Sequence, residues 1–175
     1  MSILNFRKTV NNQTYLTVSV LGQSLKLNVK YTNTSSVELN KKDTEIDLFL
    51  PKSYKNLENI DVINMAIQKL YNTIAETEIE YAMEVARHIL RFAPDDYSIK
   101  RLNDEFYKCS KNKIIINPDI VRFNREIINT TIIQAFCKIK HRPNTVAYKN
   151  LLNNAMNEYE IYKKKEQKIR ILKVS

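Results

Sequence analysis

The stretch that decides the fold is residues 113–152, KIIINPDIVRFNREIINTTIIQAFCKIKHRPNTVAYKNLL. Its first residues are a short apolar run typical of a strand, followed by a turn that begins at Pro118. Over residues 124–140 the apolar positions recur at helical spacing, which predicts a helix with one apolar face. That face comprises Ile128, Ile132, Ala135 and Ile139.

A second helix is predicted directly after the first. Pro143 ends the first helix, and Asn144 or Thr145 can cap the second. The spacing of its apolar residues predicts an inner face made of Val146, Leu151, Ala155, Met156 and Tyr159. The tail, residues 163–175, is a charge run that we expect to end in a last strand.

The residues before this stretch predict strands and one long helix. Strands are expected at 15–20, 25–31, 45–50, 96–102 and 114–116, from alternating or β-branched apolar residues. The lone glycine, Gly22, suits a hairpin turn, whereas residues 31–43 and 103–112 are polar and are expected to be a loop and a turn. Helical spacing covers residues 56–92, with a cap at Asn59 or Asp61, a stop at Pro94 and a bend or break near 72–77.

These elements predict an α+β fold, in which a small, mostly antiparallel sheet packs against the long first helix and the C-terminal helix pair. A chain of 175 residues is long enough for one domain and short for two. We therefore expect a single domain over 1–175. It comprises N-terminal strands at 1–55, the long helix at 56–93 and the remaining core with the C-terminal helix at 96–175.

Composition excludes several classes of site and leaves the partner open. One glycine is too few for a P-loop, a dinucleotide fingerprint or a nucleophile elbow. Two cysteines, Cys109 and Cys137, are expected to be packed thiols, and no run is apolar enough for a membrane helix. The net charge of +9 favours an acidic partner such as nucleic acid, although A/T-rich codons also explain part of the lysine content.

The second half of the chain resembles the YgjP/SprT-like zinc metallopeptidases, which share a zincin-like fold. Phe106 stands at the tryptophan of that family's Trp-Gly-Ser-Cys-Ser turn, Cys109 and Ser110 keep its Cys-Ser, and Asn117 keeps the asparagine that ends its next strand. The spacing then continues without a gap to the family's HExxH helix. Thr145 and Tyr148 match its last motif, Asn-His-Ser-x-x-Phe, at the serine and the phenylalanine.

In this resemblance the first zinc histidine, the general-base glutamate and the second and third histidines fall on Gln134, Ala135, Lys138 and Asn144. A catalytic zinc needs three protein ligands and a carboxylate base. Glutamine is a poor zinc ligand, alanine has no ligand atom and lysine would place a cation at the metal. The resemblance therefore predicts a pseudo-metallopeptidase that is not an enzyme, with no catalytic residue, no metal and no cofactor.

The pair Glu84 and His88, and the single residue His141, are further candidate metal ligands that are expected to be ordinary surface residues. Glu84 and His88 lie one helical turn apart without a third ligand nearby in sequence. His141 follows Lys138 by three residues and is either a surviving ligand in a shifted site or, as we favour, a surface histidine between Lys140 and Arg142.

The leading functional hypothesis is a structural or assembly protein that contacts other proteins in an oligomer, such as a virion or phage component. It would be located in the cytoplasm or within a virion. The alternative is a basic nucleic-acid-binding protein, and an active zinc peptidase ranks last. A variant of the leading hypothesis is that a groove beside an edge strand binds an extended peptide. No membrane partner is expected.

Overall fold

The computed structural model describes residues 4–8, 14–55 and 60–174, with side chains described for 16–55 and 60–167. These residues form eight strands and three α-helices. The strands are β1 (Leu4–Lys8), β2 (Thr14–Val20), β3 (Gln23–Thr32), β4 (Glu38–Lys41), β5 (Glu45–Pro51), β6 (Asp96–Ile99), β7 (Tyr107–Ser110) and β8 (Lys113–Ile116). The helices are α1 (Ile60–Leu90), α2 (Arg125–Lys140) and α3 (Val146–Val174).

The strands form two small sheets instead of one. The first has the order β1-β2-β3-β5-β4 and is antiparallel except where β3 pairs with β5. The second has the order β6-β8-β7, in which β6 pairs parallel and β7 pairs antiparallel with β8. With three helices and two mostly antiparallel sheets, the α+β prediction is confirmed.

The chain divides into two compact units. One comprises residues 1–77 with 118–125, and the other comprises residues 78–117 with 126–175. Helix α1 contributes its first part to one unit and its second part to the other. The prediction of a single domain stays a prediction.

The first unit contains the five-stranded sheet, whose apolar face supplies its core. Val18, Leu25, Leu27, Ile46, Leu48 and Leu50 are buried there. Buried Tyr71 of α1 donates a hydrogen bond to the carbonyl of Ser19 at 2.8 Å. At the β2–β3 turn, Leu21 and Gly22 have φ angles of 49° and 80°, the left-handed region that a tight two-residue hairpin requires.

The second unit contains the three-stranded sheet, the end of α1, most of α2 and all of α3. Its buried residues include Ile79, Met83, Ile114, Ile116, Ile132 and Phe136. A carboxylate joins α1 to α3, because Tyr81 donates to Glu166 at 2.7 Å and Tyr162 donates to the same oxygen at 3.3 Å. Lys163 of α3 forms ion pairs with Glu126 and Glu160 at 2.7 and 2.6 Å.

Several predicted elements differ from the structure. Helix α1 is continuous over Ile60–Leu90, and the charged tail continues α3 as far as Val174 instead of forming a strand. Strands β4 and β7 lie in segments predicted to be a loop and a turn, and β1 had no counterpart. Val146, predicted to face inward, is 75% exposed. The predicted cap Asn59 lies outside the described residues.

No helix in the described part of the chain has both the length and the apolar character to span a membrane.

Candidate functional site

The candidate site lies in the second unit, where β7 meets α2. The Cys109 thiol donates to the backbone carbonyl of Ala135 at 3.6 Å. The Lys138 ammonium lies 5.3 Å from the centroid of the Tyr107 ring, within cation–π range. Two side chains of one strand therefore contact two successive turns of one helix. We call the set Tyr107, Cys109, Ala135 and Lys138 the β7–α2 site.

The register of the β7–β8 hairpin explains why these side chains face α2. Tyr107 pairs with Ile116, and Cys109 pairs with Ile114. Residues directly opposite each other in a strand pair have their side chains on the same face. Because Ile114 and Ile116 are fully buried, Tyr107 and Cys109 share the face that packs inward, and Lys108 points the other way.

The backbone of β7 has one free edge. Strand β8 is its sole strand partner among the described residues. The N–H of Asn117 donates to the carbonyl of Phe106 at 2.8 Å, so in the alternating antiparallel pattern Lys108 and Ser110 also bond to β8. The N–H and C=O groups of Tyr107 and Cys109 point to the opposite edge, and no described residue forms a hydrogen bond with them.

Asn117 supports the chain just before β7. The residue is only 5% exposed, and its side-chain amide donates to the carbonyls of Leu102 and Glu105, each at 3.0 Å. These bonds, together with the backbone bond to Phe106, hold the segment that leads into β7. Asn117 thus positions the start of the strand.

The helix places three of the four predicted positions together. Gln134 and Lys138 are one turn apart on α2 and both are half-buried, and Ala135 is fully buried beside them. Asn144 lies outside the helix, in the turn to α3, where it is exposed with a φ of 66°. Thr145 rather than Asn144 caps α3, since its hydroxyl accepts the N–H of Tyr148 at 3.2 Å.

The sequence does not identify Tyr107 as a site residue, because the polar residues 103–112 predict a turn and not a strand. The available signal was the alternation of Tyr107 and Cys109 with Lys108 and Ser110, which is the period of a half-buried strand. Over four residues that signal is short. The pairing of Tyr107 with Ile116 and of Cys109 with Ile114 establishes that this segment is a strand.

Burial sets the ionisation of the site. It raises the pKa of Tyr107 to about 12, with further contributions from Tyr148, Cys109, Cys137 and the carboxylate of Glu105. Burial also raises the pKa of Tyr148, and the two thiols add to that effect. The phenol of Tyr148 therefore lies near the same side chains. The phenols of Tyr107 and Tyr148 are therefore neutral at pH 7.

The two thiols are both protonated at neutral pH for the same reason. Burial raises the pKa of Cys137 to about 11. Burial also raises the pKa of Cys109, while the positive charge of Lys138 opposes that rise. Both cysteines are free, which agrees with the prediction of packed thiols.

The metal centre of a zinc metallopeptidase is built from a group of His, Cys, Asp or Glu ligands. In the described part of the chain, no three or more His, Cys, Asp or Glu side chains are grouped so as to hold a metal ion. His88 packs against the Tyr162 ring at 5.8 Å, and Glu84 pairs with Arg87. The backbone N–H of His141 caps α2 by donating to the carbonyl of Cys137 at 3.0 Å.

Residues 4–167 match the family model described as "YgjP-like, metallopeptidase domain". No curated protein and no solved structure matches the chain. The match confirms the resemblance and extends it from the second half to nearly the whole chain.

The match also corrects one prediction. The expectation that the chain is not an enzyme is contradicted, because the matched family is a metallopeptidase domain. That expectation rested on residue types at Gln134, Ala135, Lys138 and Asn144, which were assigned by spacing alone. The assignment of these four positions stays a prediction.

Proposed function

This chain belongs to the YgjP-like metallopeptidase domain family, and we propose that it binds a polypeptide segment in extended form along the free edge of β7. The observation that carries the proposal is the unpaired backbone of Tyr107 and Cys109, on a strand whose inward face contacts α2. An added strand would satisfy these N–H and C=O groups. Strand addition at a sheet edge is a common mode of peptide recognition.

The hairpin is suited to this role because its own backbone is fixed. Asn117 holds the entry to β7 through three hydrogen bonds, and β8 holds its inner edge. Strand addition to a fixed edge loses less conformational entropy than addition to a mobile loop. Backbone bonds would supply affinity for many sequences, and side chains on the α2 face would supply selectivity.

The test compares Cys109→Pro with Cys109→Ala. Both variants remove the thiol and its bond to the Ala135 carbonyl, but only proline removes the N–H that faces the free edge. Proline is tolerated on the free side of an edge strand. The probe is a library of fluorescein-labelled random decapeptides, from which binders are selected on the wild-type protein.

We expect Cys109→Pro to weaken binding about tenfold, in line with the loss of one backbone hydrogen bond. Cys109→Ala should stay within about twofold of the wild type, because it keeps every backbone group. Circular dichroism checks that both variants fold. Equal binding by the two variants, or no selectable binder, would contradict the proposal.

A second candidate is nucleic-acid binding, which the charge pattern favours. Residues 127–157 contain no aspartate or glutamate but include Lys138, Lys140, Arg142 and Lys149. Phosphate contacts by such a patch release counterions, so affinity would fall steeply with added salt. Titration of a fluorescent single-stranded oligonucleotide at several salt concentrations tests this candidate, and a lack of binding at low salt excludes it.

A further inference from the structure

Lys138 is a half-buried cation that forms no ion pair with a carboxylate of the described residues. Its ammonium lies over the Tyr107 ring, and its side chain is neither free in solvent nor fully enclosed. Among the described residues no aspartate or glutamate lies within ion-pair distance of it. The positive charge is therefore held in place without being neutralised.

A lysine elsewhere in the same unit shows the usual arrangement. The side chain of Lys163 is 24% exposed, and it forms ion pairs with Glu126 at 2.7 Å and Glu160 at 2.6 Å. Partly buried charges are usually paired in this way, because removal from water costs free energy that a partner offsets. Lys138 and Lys163 both lie over an aromatic ring, at 5.3 Å from Tyr107 and 5.2 Å from Tyr159. Among the described residues, only Lys163 of these two also has carboxylate partners.

The neighbourhood of Lys138 supports the same conclusion. The chain on both sides of it, residues 127–157, contains no acidic residue. The thiol of Cys109 and the phenol of Tyr107 beside Lys138 are neutral. The Glu105 carboxylate is close enough to Tyr107 to raise the pKa of its phenol, but Glu105 is exposed and forms no ion pair with Lys138.

The strand geometry places Lys138 where an added peptide would meet it. On a strand paired with the free edge of β7, the residue opposite Tyr107 would have its side chain on the same face as the Tyr107 ring. That face contacts α2, and the Tyr107 ring lies under the Lys138 ammonium. One side chain of the bound peptide would therefore point toward Lys138.

We propose that Lys138 forms a carboxylate-binding subsite beside β7, which takes an acidic side chain or the C-terminal carboxylate of a polypeptide. The Tyr107 ring holds the ammonium in position, and the ammonium donates a charge-assisted hydrogen bond to the carboxylate. That the carboxylate belongs to a peptide added to β7 rests on the proposed function, whereas carboxylate binding at Lys138 can be tested without it.

A purely structural role is the alternative that the test must separate. Lys138 and Lys140 both lie in the last turn of α2, where a cation stabilises the helix end. Lys140 also lies over an aromatic ring, that of Phe92 at 5.7 Å, but it is exposed. Lys140→Gln is thus a matched control for Lys138→Gln, with the same change in charge on the same turn.

The first arm uses small probes and nuclear magnetic resonance on the full chain. N-acetyl-glutamate α-amide carries only a side-chain carboxylate, N-acetyl-glutamine only a terminal carboxylate, and N-acetyl-glutamine amide neither. We expect one or both carboxylates, at millimolar concentration, to shift the Lys138 side-chain and Tyr107 ring signals. The neutral amide should not shift them. Lys138→Gln should abolish the Tyr107 response, and Lys140→Gln should preserve it.

The second arm uses the selected decapeptides with single Glu-to-Gln or Asp-to-Asn changes and with amidated ends. Lys138→Gln should lower affinity for the acidic peptide about tenfold to a hundredfold, the range for a charge-assisted bond, and should leave its neutral counterpart unchanged. If Cys109→Pro weakens binding while Lys138→Gln does not, strand addition stands and the carboxylate subsite is wrong.

Three other results would overturn the subsite. One is a failure of both carboxylate probes to shift the two signals, and another is an equal loss of response in the Lys138 and Lys140 variants. The third is Lys138-dependent binding of a single-stranded oligonucleotide without any carboxylate response, which would assign the cation to phosphate.

Discussion

Replacing Asn117 with aspartate tests how firmly the strand that carries the site is held. Asn117 is buried, and its side-chain amide donates to the carbonyls of Leu102 and Glu105 at 3.0 Å each. Aspartate has the same shape but only accepts hydrogen bonds. The substitution therefore removes two donors and turns a carboxylate toward two carbonyl oxygens.

The expected loss of stability follows from these contacts. Two hydrogen bonds contribute about 1 kcal/mol each, and a buried carboxylate facing carbonyls adds roughly another 1–2 kcal/mol. We predict that Asn117→Asp lowers the free energy of unfolding by about 3–4 kcal/mol at pH 7. Asn117→Ala, which loses the bonds without adding a charge, should cost about 2 kcal/mol.

Urea denaturation monitored by circular dichroism measures both losses. A protonated carboxyl can donate again, so the deficit of the aspartate variant should shrink as pH falls. An aspartate variant within about 0.5 kcal/mol of the wild type, or no less stable than the alanine variant at pH 7, would refute the reasoning that Asn117 holds this segment by donating.

Three further predictions concern other contacts. Lys138→Gln should raise the pKa of Cys109, because Lys138 opposes the effect of burial there. Alkylation of Cys109 by iodoacetamide should then be slower at pH 8–9 than in the wild type, as mass spectrometry of the labelled peptide would show. Asp47→Asn should destabilise the chain at pH 7. Hydrogen bonds from two lysines hold the pKa of Asp47 below its ordinary value of 3.8, so the deficit relative to the wild type should diminish in thermal melts as pH falls below about 4. Gly22→Ala should lower the free energy of unfolding by about 1–3 kcal/mol in urea denaturation. The φ of Gly22 is +80° and an added Cβ would lie 2.9 Å from the Cβ of Asn124, so an unchanged midpoint would count against this strain.

Sequence predicted correctly the elements whose apolar residues show a period or form an apolar run, as in the four-residue strand β8. The alternation of apolar and polar residues over 25–31 predicted the core of β3, and the stripe beginning at Ile128 predicted α2 within one residue of its start. Strands β4 and β7 have four residues each and lie in polar segments. Pairing with a neighbouring strand, which is not visible in local sequence, decides their structure.

The end of α3 shows the same limit. Its sequence is a run of charged residues, yet Glu166 accepts a hydrogen bond from the hydroxyl of Tyr81, which lies 85 residues earlier in the chain. Contacts of this kind stabilise a helix whose own pattern is weak.

At the site, sequence located Lys138 but not its aromatic partner. The resemblance singled out Gln134, Ala135 and Lys138, and all three lie in α2. Tyr107 reaches α2 through the hairpin register, which required the structure. The assembly role, the virion setting and the cellular location stay predictions, since nothing in the fold bears on them.

Amide hydrogen exchange on β7, with and without a selected peptide, tests the central claim most directly. Strand addition predicts that the N–H groups of Tyr107 and Cys109 exchange more slowly when the peptide binds. The N–H groups of Lys108 and Ser110, already paired with β8, should change little by comparison. Peptide binding with no added protection at Tyr107 and Cys109 would contradict the account and place the peptide elsewhere on the molecule.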